Sequence, residues 1–169
     1  DIKQYNYFLL YGDNEGLKEE TIKNLFEKNY LEKIHRYEEK EILNNENNFF
    51  NSILTKSFFD NEKLIIINRA TDRIKLIIEE LLEKKPADVL FILNSKNLEK
   101  KSTLRKFFER DKLTICCPFY EDNNQTLNSI ISNFFRIKKI PVSQKLVNIL
   151  IERCRGDRKK LNNELEKIE

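Results

Sequence analysis

Short runs of consecutive apolar residues alternate along the chain with segments in which apolar residues recur every third or fourth position. A continuous apolar run is typical of a strand buried on both faces of a parallel sheet, and the wider spacing is typical of an amphipathic helix. The runs predict five strands: Tyr7–Tyr11, His35–Ile42, Lys63–Asn68, Asp88–Asn94 and Leu113–Cys117. The second is the most polar and is therefore expected at an edge of the sheet.

The segments between the strands have the spacing of helices. The first helix is expected from Glu15 to about Asn29, and its buried stripe is expected to contain Leu17, Ile22, Leu25 and Phe26. Further helices are expected around Phe49–Leu54, Ile74–Leu82 and Leu104–Glu109. Because strands and helices alternate, the pattern predicts an α/β fold with a doubly wound parallel sheet.

The pattern changes after Tyr120, where only helical spacing remains. The Asp122–Asn124 segment can cap a helix that runs to about Lys138, Ser143 can cap a second helix, and Asp157 can cap a third. We therefore expect two domains. Residues 1–120 would form the α/β domain, and residues 121–169 would form a small all-helical domain.

Composition narrows the class of protein. Forty per cent of the residues are hydrophobic and the net charge is only +3, so the chain can build a core but has no strong positive field for nucleic acid. No run is apolar enough to span a membrane, and three sparse cysteines are typical of a cytoplasmic protein. Because the sequence contains no Met, we expect it to be part of a longer chain.

The turn after the first strand resembles a phosphate loop without its phosphate chemistry. A strand, a glycine turn and a helix N-terminus can cradle a phosphate, and a working loop reads Gly-x-x-x-x-Gly-Lys-Ser/Thr. Here Gly12 and Gly16 are one position too close, Lys18 is one position late, and two Glu residues follow it. The turn is either a tight connection with acidic capping or a divergent nucleotide site.

Two adjacent aromatic residues mark a second candidate site. Ser57, Phe58 and Phe59 precede the strand that begins at Lys63. Neighbouring residues on a helix point in different directions, so one core cannot bury both rings from a helix. The pair either packs partly in the core or docks into a partner, where aromatic residues often dominate the binding energy.

The sequence offers little for catalysis or metal binding. The single His, His35, lies among charged residues at a strand start, and no spaced pair of carboxylates or metal-ligand spacing is present. Cys116 and Cys117 are expected to be buried strand thiols. The basic residues Arg158, Lys159 and Lys160, or the Lys100–Lys101 stretch, either form a solvated surface or contact nucleic-acid phosphates.

Three segments together resemble the delta subunit of the bacterial replicative clamp loader, part of the DNA polymerase III holoenzyme. They are Phe8–Asn14 with its degenerate turn, Ser57–Phe59 before the basic Lys63 and an apolar strand, and Gly156–Arg158 continuing through Asn163–Lys167. In this order and spacing, the three segments together span nearly the whole chain.

The resemblance implies a RecA-like AAA+ domain followed by a small helical lid-type domain, with a third collar domain absent from this chain. It further implies a subunit without catalytic activity or cofactor, which binds and helps open the sliding clamp (beta subunit) for loading onto primed DNA. Phe58 and Phe59, with Ser57 before them, would enter a pocket of the clamp. The other loader subunits would bind mainly through the third domain. A divergent AAA+ ATPase and a DNA-binding module are the alternatives.

Overall fold

The computed structural model describes residues 4–30, 33–54 and 62–168. The chain divides into two compact units. One contains Thr21–Pro118 together with the chain up to Gly12, and the other contains Asp13–Glu20 together with Phe119–Glu169. The predicted domain boundary at residues 120 and 121 stays a prediction. In the part of the chain that is described, no helix is both long and apolar enough to cross a membrane.

The first unit is built on a parallel sheet of five strands, as the alternating pattern predicts. The strands are β1 (Tyr7–Tyr11), β2 (Ile34–Glu38), β3 (Lys63–Asn68), β4 (Val89–Ser95) and β5 (Thr114–Pro118). Their order in the sheet is β2-β3-β4-β1-β5. The polar strand β2 therefore lies at an edge, as expected, and the apolar strands β3, β4 and β1 lie inside.

The second strand is shorter than predicted because a helix begins directly after it. The carboxylate of Glu38 caps the next turn, and the side chain of Glu41 accepts a hydrogen bond from the Glu38 amide at 2.9 Å. This reciprocal capping box starts helix α3 (Glu39–Asn44). The strand prediction was thus wrong beyond Glu38, where local capping outweighs the weak strand pattern.

Both faces of the sheet are buried. On one face the central strand residues join side chains of the helices that follow β2, β3 and β4. These helices are α4 (Glu46–Leu54), α5 (Lys75–Lys84), which follows a 3-10 turn at Asp72–Ile74, and α6 (Thr103–Arg110). On the other face Phe8 packs edge-on against Phe26, with 5.0 Å between the ring centroids.

The first helix changes its winding along its length. It begins as α1 (Glu15–Thr21), continues as a π-helix at Ile22–Glu27 and ends as α2 (Lys28–Tyr30). Ile22 and Phe26 are buried as predicted, but Leu25 is 52% exposed. The prediction for Leu25 was wrong because a π-helix has wider turns, which rotate this residue away from the stripe that α-helical spacing assigns to it.

The second unit has the predicted helical character. Besides most of α1, it contains the helices α7 (Asn124–Lys138), α8 (Gln144–Cys154) and α9 (Arg158–Glu166). Asn123, Ser143 and Asp157 cap them through side-chain oxygens that accept amide hydrogen bonds, which confirms the three predicted caps. A core fully buries Leu127, Ile131 and Leu161, so the helices pack into one body.

Candidate functional site

The turn after β1 is held by the chain's own hydrogen bonds. Gly12 has a φ of 126°, which only glycine adopts easily, and its amide donates to the Lys96 carbonyl at 3.2 Å. The Asn14 side chain caps α1 by accepting from the Leu17 amide at 3.0 Å. The Lys18 amide donates to the Asn14 carbonyl at 3.1 Å. Three amides of the turn and of the first turn of α1 therefore donate to acceptors of the chain itself.

Lys18 is not available in the way that a phosphate-binding lysine must be. Its side chain is fully buried, and its ammonium donates to the Glu15 carboxylate at 2.9 Å. A phosphate-loop lysine reaches the β- and γ-phosphates of a nucleotide. Here the same type of charge neutralises an acidic residue one turn earlier on the same helix.

Gly16 is required for packing. A Cβ atom at this position would lie 2.5 Å from the Lys159 amide nitrogen and 3.0 Å from the carbonyl carbon of Arg158. The first turn of α9 therefore lies directly against the Cα of Gly16. The glycine that sequence alone assigns to a phosphate turn instead permits contact between two stretches of backbone.

Arg158 connects the acidic groups that surround this turn. Its guanidinium donates two hydrogen bonds to the two oxygens of Asp122, at 2.7 and 2.6 Å, and one to Glu20 at 3.1 Å. Asp122 also accepts from the Asn14 side chain at 3.1 Å. The side chains of Arg158 and Asp122 are 11% and 5% exposed, so this bidentate pair lies largely away from water.

The contacts with Asp122 and Glu20 stabilise the positive charge of Arg158. Burial opposes the charge of Arg158, but the hydrogen bonds and charge of Asp122, with a contribution from Glu20, outweigh it and raise the pKa of the guanidinium. Lys159 pairs with Glu19 in the same region. Two of the three basic residues that could have contacted nucleic-acid phosphates are therefore paired with carboxylates of their own chain.

Sequence reasoning identified both halves of this network but did not connect them. The excess of carboxylates after Gly12 and the basic cluster after Gly156 are each visible in the sequence. Their complementary charge was the available signal. Because Arg158 and Glu20 are 138 positions apart, local spacing gives no indication that they meet.

The carboxyl ends of the central strands carry neutral amides. Asn68 ends β3, and the Asn94 side chain near the end of β4 donates to it at 3.5 Å. In P-loop NTPases an aspartate and a hydroxyl hold the magnesium ion, and neither Asn68 nor Lys18 supplies such a ligand. Across residues 4–30, 33–54 and 62–168, no group of three or more His, Cys, Asp or Glu side chains could hold a metal ion.

His35 and Cys116, two further residues with reactive side chains, lie on strands of the sheet. His35 is exposed on the edge strand β2. Cys116 lies on β5, where burial raises the pKa of its thiol to about 12, with a smaller contribution from Glu109. A thiol with that pKa is protonated at neutral pH and is a poor nucleophile.

The predicted clamp-binding residues Ser57, Phe58 and Phe59 lie outside the described residues. The chain is described up to Leu54, at the end of α4, and again from Glu62, immediately before β3. The predicted anchor therefore belongs to the connection between a helix and an inner strand of the sheet. The role of these three residues stays a prediction.

The five-stranded parallel sheet flanked by helices is a RecA-like fold of the AAA+ type, and the turn after β1 lacks the Gly-Lys-Ser/Thr of a working phosphate loop. Residues 8–118 match the family described as "DNA polymerase III, delta subunit". This match covers more than half of the chain, and the chain therefore belongs to the delta-subunit family, as its motifs predict.

Solved structures agree on the fold. The Bacillus subtilis DNA clamp loader delta protein (YqeN) matches with a TM-score of 0.62 and 14% identity, over 96% of this chain and 52% of that one. The Thermotoga maritima RuvB Holliday junction branch migration motor matches with a TM-score of 0.63 and 15% identity, over 95% and 53%. Domain III of the T. maritima replication initiation protein DnaA gives 0.51 and 13%, over 95% and 73%.

These identities are low enough that the structural matches show the fold alone. The chain spans about half the length of the clamp loader delta protein and of the RuvB motor. No curated protein is significantly similar in sequence.

Proposed function

We propose that this chain is a non-catalytic subunit of the bacterial replicative clamp loader, which binds the sliding clamp and helps to open it for loading onto primed DNA. The observation that carries the proposal is the family match over residues 8–118, which spans the Ser57–Phe59 segment. The occupied turn supports it from another direction, because Arg158 and Lys18 form ion pairs within the chain at the place where an ATPase would bind phosphate.

Phe58 and Phe59 supply the proposed anchor, and Ser57 precedes them as a small residue. Full burial of a Phe side chain contributes about 2 to 3 kcal/mol. The subunit opens the clamp if it binds the open or distorted interface better than the closed one, because a ligand shifts an equilibrium by its difference in affinity for the two states. The buried inner strand β3, which begins at Lys63, would carry this anchor.

The remaining parts of the proposal follow from this role. ATP would be hydrolysed by other subunits of the loader, which contact this protein mainly through a third domain. Primed DNA would be bound by the complete complex. The alternative of nucleic-acid binding by Arg158 and Lys159 has less support, because both side chains pair with carboxylates.

The test is binding of the matching sliding clamp to a Phe58→Ala, Phe59→Ala double variant. Loss of both rings from a partner pocket removes about 4 kcal/mol or more, so the affinity is expected to fall by about a thousand-fold. Calorimetry or surface plasmon resonance measures this change.

A matched control removes exposed apolar side chains elsewhere. Leu76 and Tyr120 are 73% and 75% exposed, so Leu76→Ala with Tyr120→Ala deletes surface of the same kind at other positions. The control is expected to bind the clamp as the unmodified protein does. Equal affinity of the Phe58→Ala, Phe59→Ala variant and the control would remove this pair from the binding site.

A further inference from the structure

A cavity of about 460 Å³ lies at the amino-terminal edge of the sheet, within the first unit. Its wall contains Phe26 and Tyr30 from the first helix and Leu90 from β4, and Glu62 and Asp88 contribute its acidic part. A volume of this size is typical of a ligand pocket. None of the residues of the turn after β1 lines this cavity.

The two acidic residues are fixed next to each other by the sheet. Glu62 and Asp88 immediately precede β3 and β4, and Lys63 lies opposite Val89 in the parallel register. The Lys63 amide donates to the Asp88 carbonyl at 2.8 Å, which holds the two strand starts together. Among the described residues, no ion pair neutralises either carboxylate.

The π-helix supplies the apolar wall. It places Leu25 at the cavity with 52% of its surface exposed, although its neighbour Phe26 is buried at 5%. A long charged side chain can bury its alkyl stem against an apolar side chain in this position. π-helical turns often occur at functional sites.

The charge of Glu62 affects the Tyr30 hydroxyl in the wall of the cavity. Burial, and after it the charge of Glu62, raise the pKa of the Tyr30 hydroxyl. The Glu62 carboxylate is therefore close enough to this ring to influence it. A cavity that combines apolar and aromatic walls with two carboxylates is complementary to a long side chain that ends in a cation.

We propose that this cavity binds an arginine side chain presented by the protein partner of the neighbouring Ser57–Phe59 segment. The alkyl stem packs on Leu25 and Leu90. The planar guanidinium stacks on the Tyr30 ring and donates hydrogen bonds to Glu62 or Asp88, a combination that arginine makes better than lysine. Because Glu62 directly follows residues 55–61 in the sequence, we assign the same partner to the cavity and to the Ser57–Phe59 segment, and the inference rests on the proposed function.

A titration of the isolated chain with Nα-acetyl-arginine amide tests the cavity directly. We expect saturable chemical-shift changes of the Leu25 methyl groups and the Tyr30 ring in NMR spectra. The citrulline analogue has nearly the same shape without the charge and is expected to bind at least ten-fold more weakly. Equal binding of the two probes, or shifts at other residues only, would overturn the inference.

The matched variant is Glu62→Gln with Asp88→Asn. Both changes preserve shape, both positions are exposed, and Asn tolerates the left-handed conformation that Asp88 adopts at a φ of 58°. The variant is therefore expected to fold normally and to bind the arginine probe at least ten-fold more weakly. Retained affinity for the probe would contradict the assignment of the two carboxylates.

Binding to the sliding clamp separates this inference from the function on which it rests. We expect the acidic variant to lose at least five-fold in affinity, with a weaker dependence on salt. If only the Phe58→Ala, Phe59→Ala variant loses affinity, the arginine inference fails and the proposed function stands. If the unmodified chain does not bind the clamp, the proposed function fails, and the probe titration still decides whether the cavity recognises arginine.

Discussion

Single side chains show where the chain departs from ordinary packing. Tyr7 is 5% exposed at the start of β1, and its ring stacks on Phe91 with 4.8 Å between centroids. Among the buried side-chain polar atoms of the described residues, its hydroxyl is the one that has no hydrogen-bond partner. Burial also raises its pKa. This hydroxyl therefore contributes a desolvation cost without a compensating bond.

Tyr7→Phe is expected to stabilise the protein. The change keeps the stacked ring and removes only the unsatisfied hydroxyl, whose burial costs about 1 to 3 kcal/mol. We expect the free energy of unfolding to rise by about 1 kcal/mol in urea denaturation. Tyr120→Phe, at a ring that is 75% exposed, is the control and is expected to have no effect. A less stable Tyr7→Phe variant would mean that the hydroxyl has a partner after all.

At the scale of elements, the packing of α9 against the start of α1 depends on one glycine. Gly16 is the second residue of α1, where helix propensity alone favours Ala by up to about 1 kcal/mol. A Cβ atom would nevertheless lie 2.5 Å from the Lys159 amide nitrogen, and backbone cannot move away as a flexible side chain does. Propensity and packing therefore predict effects of opposite sign.

Gly16→Ala is expected to destabilise the protein by about 1 to 3 kcal/mol, the usual range for overpacking. Thermal or urea unfolding measures the change. Asn163→Ala, at an exposed position of α9, is the control and is expected to be neutral or slightly stabilising. A stabilising effect of Gly16→Ala would show that α9 does not pack closely on this turn.

Elements differ in how far the sequence predicts them. The inner strands β1, β3 and β4 follow from their short apolar runs, which are rich in β-branched and aromatic residues as strands buried on both faces are. The end of β2 and the π-helix were missed because capping at Glu38 and a change of helical winding depend on local geometry that average spacing does not contain.

The candidate site likewise has features that the sequence predicts and features that it does not. The loss of phosphate chemistry at Gly12, Gly16 and Lys18 could be predicted, since it is a property of consecutive residues. The bidentate pair between Arg158 and Asp122 could not, because it joins positions that are 36 residues apart. The cavity beside Leu25 was also missed, since an α-helical pattern places that residue in the core.

At the scale of the whole molecule, the structure predicts that nucleotide does not bind. Lys18 is paired with Glu15, Gly16 is covered by α9, and Arg158 is paired with Asp122 and Glu20. A nucleoside triphosphate would have to break these contacts and approach several carboxylates. Each of these steps opposes the binding of an anion.

Calorimetry with magnesium-ATP is expected to show no saturable heat for this chain. A functional P-loop ATPase measured in the same buffer serves as the positive control. Binding with a micromolar dissociation constant would contradict the occupied turn and would favour a divergent ATPase. Absence of binding fits the proposed division of labour, in which other loader subunits hydrolyse ATP.

The salt links around Asp13–Glu20 consist of side chains that are always present. Arg158, Asp122 and Glu20 belong to the same chain, so their ion pairs need no bound ligand. The nucleotide of an ATPase, in contrast, is replaced after every turnover. If nucleotide does not bind, as predicted, the local structure of this segment is expected to be independent of the energy charge of the cell. We expect the same structure of this segment in a starving cell with little ATP and in a growing cell with abundant ATP.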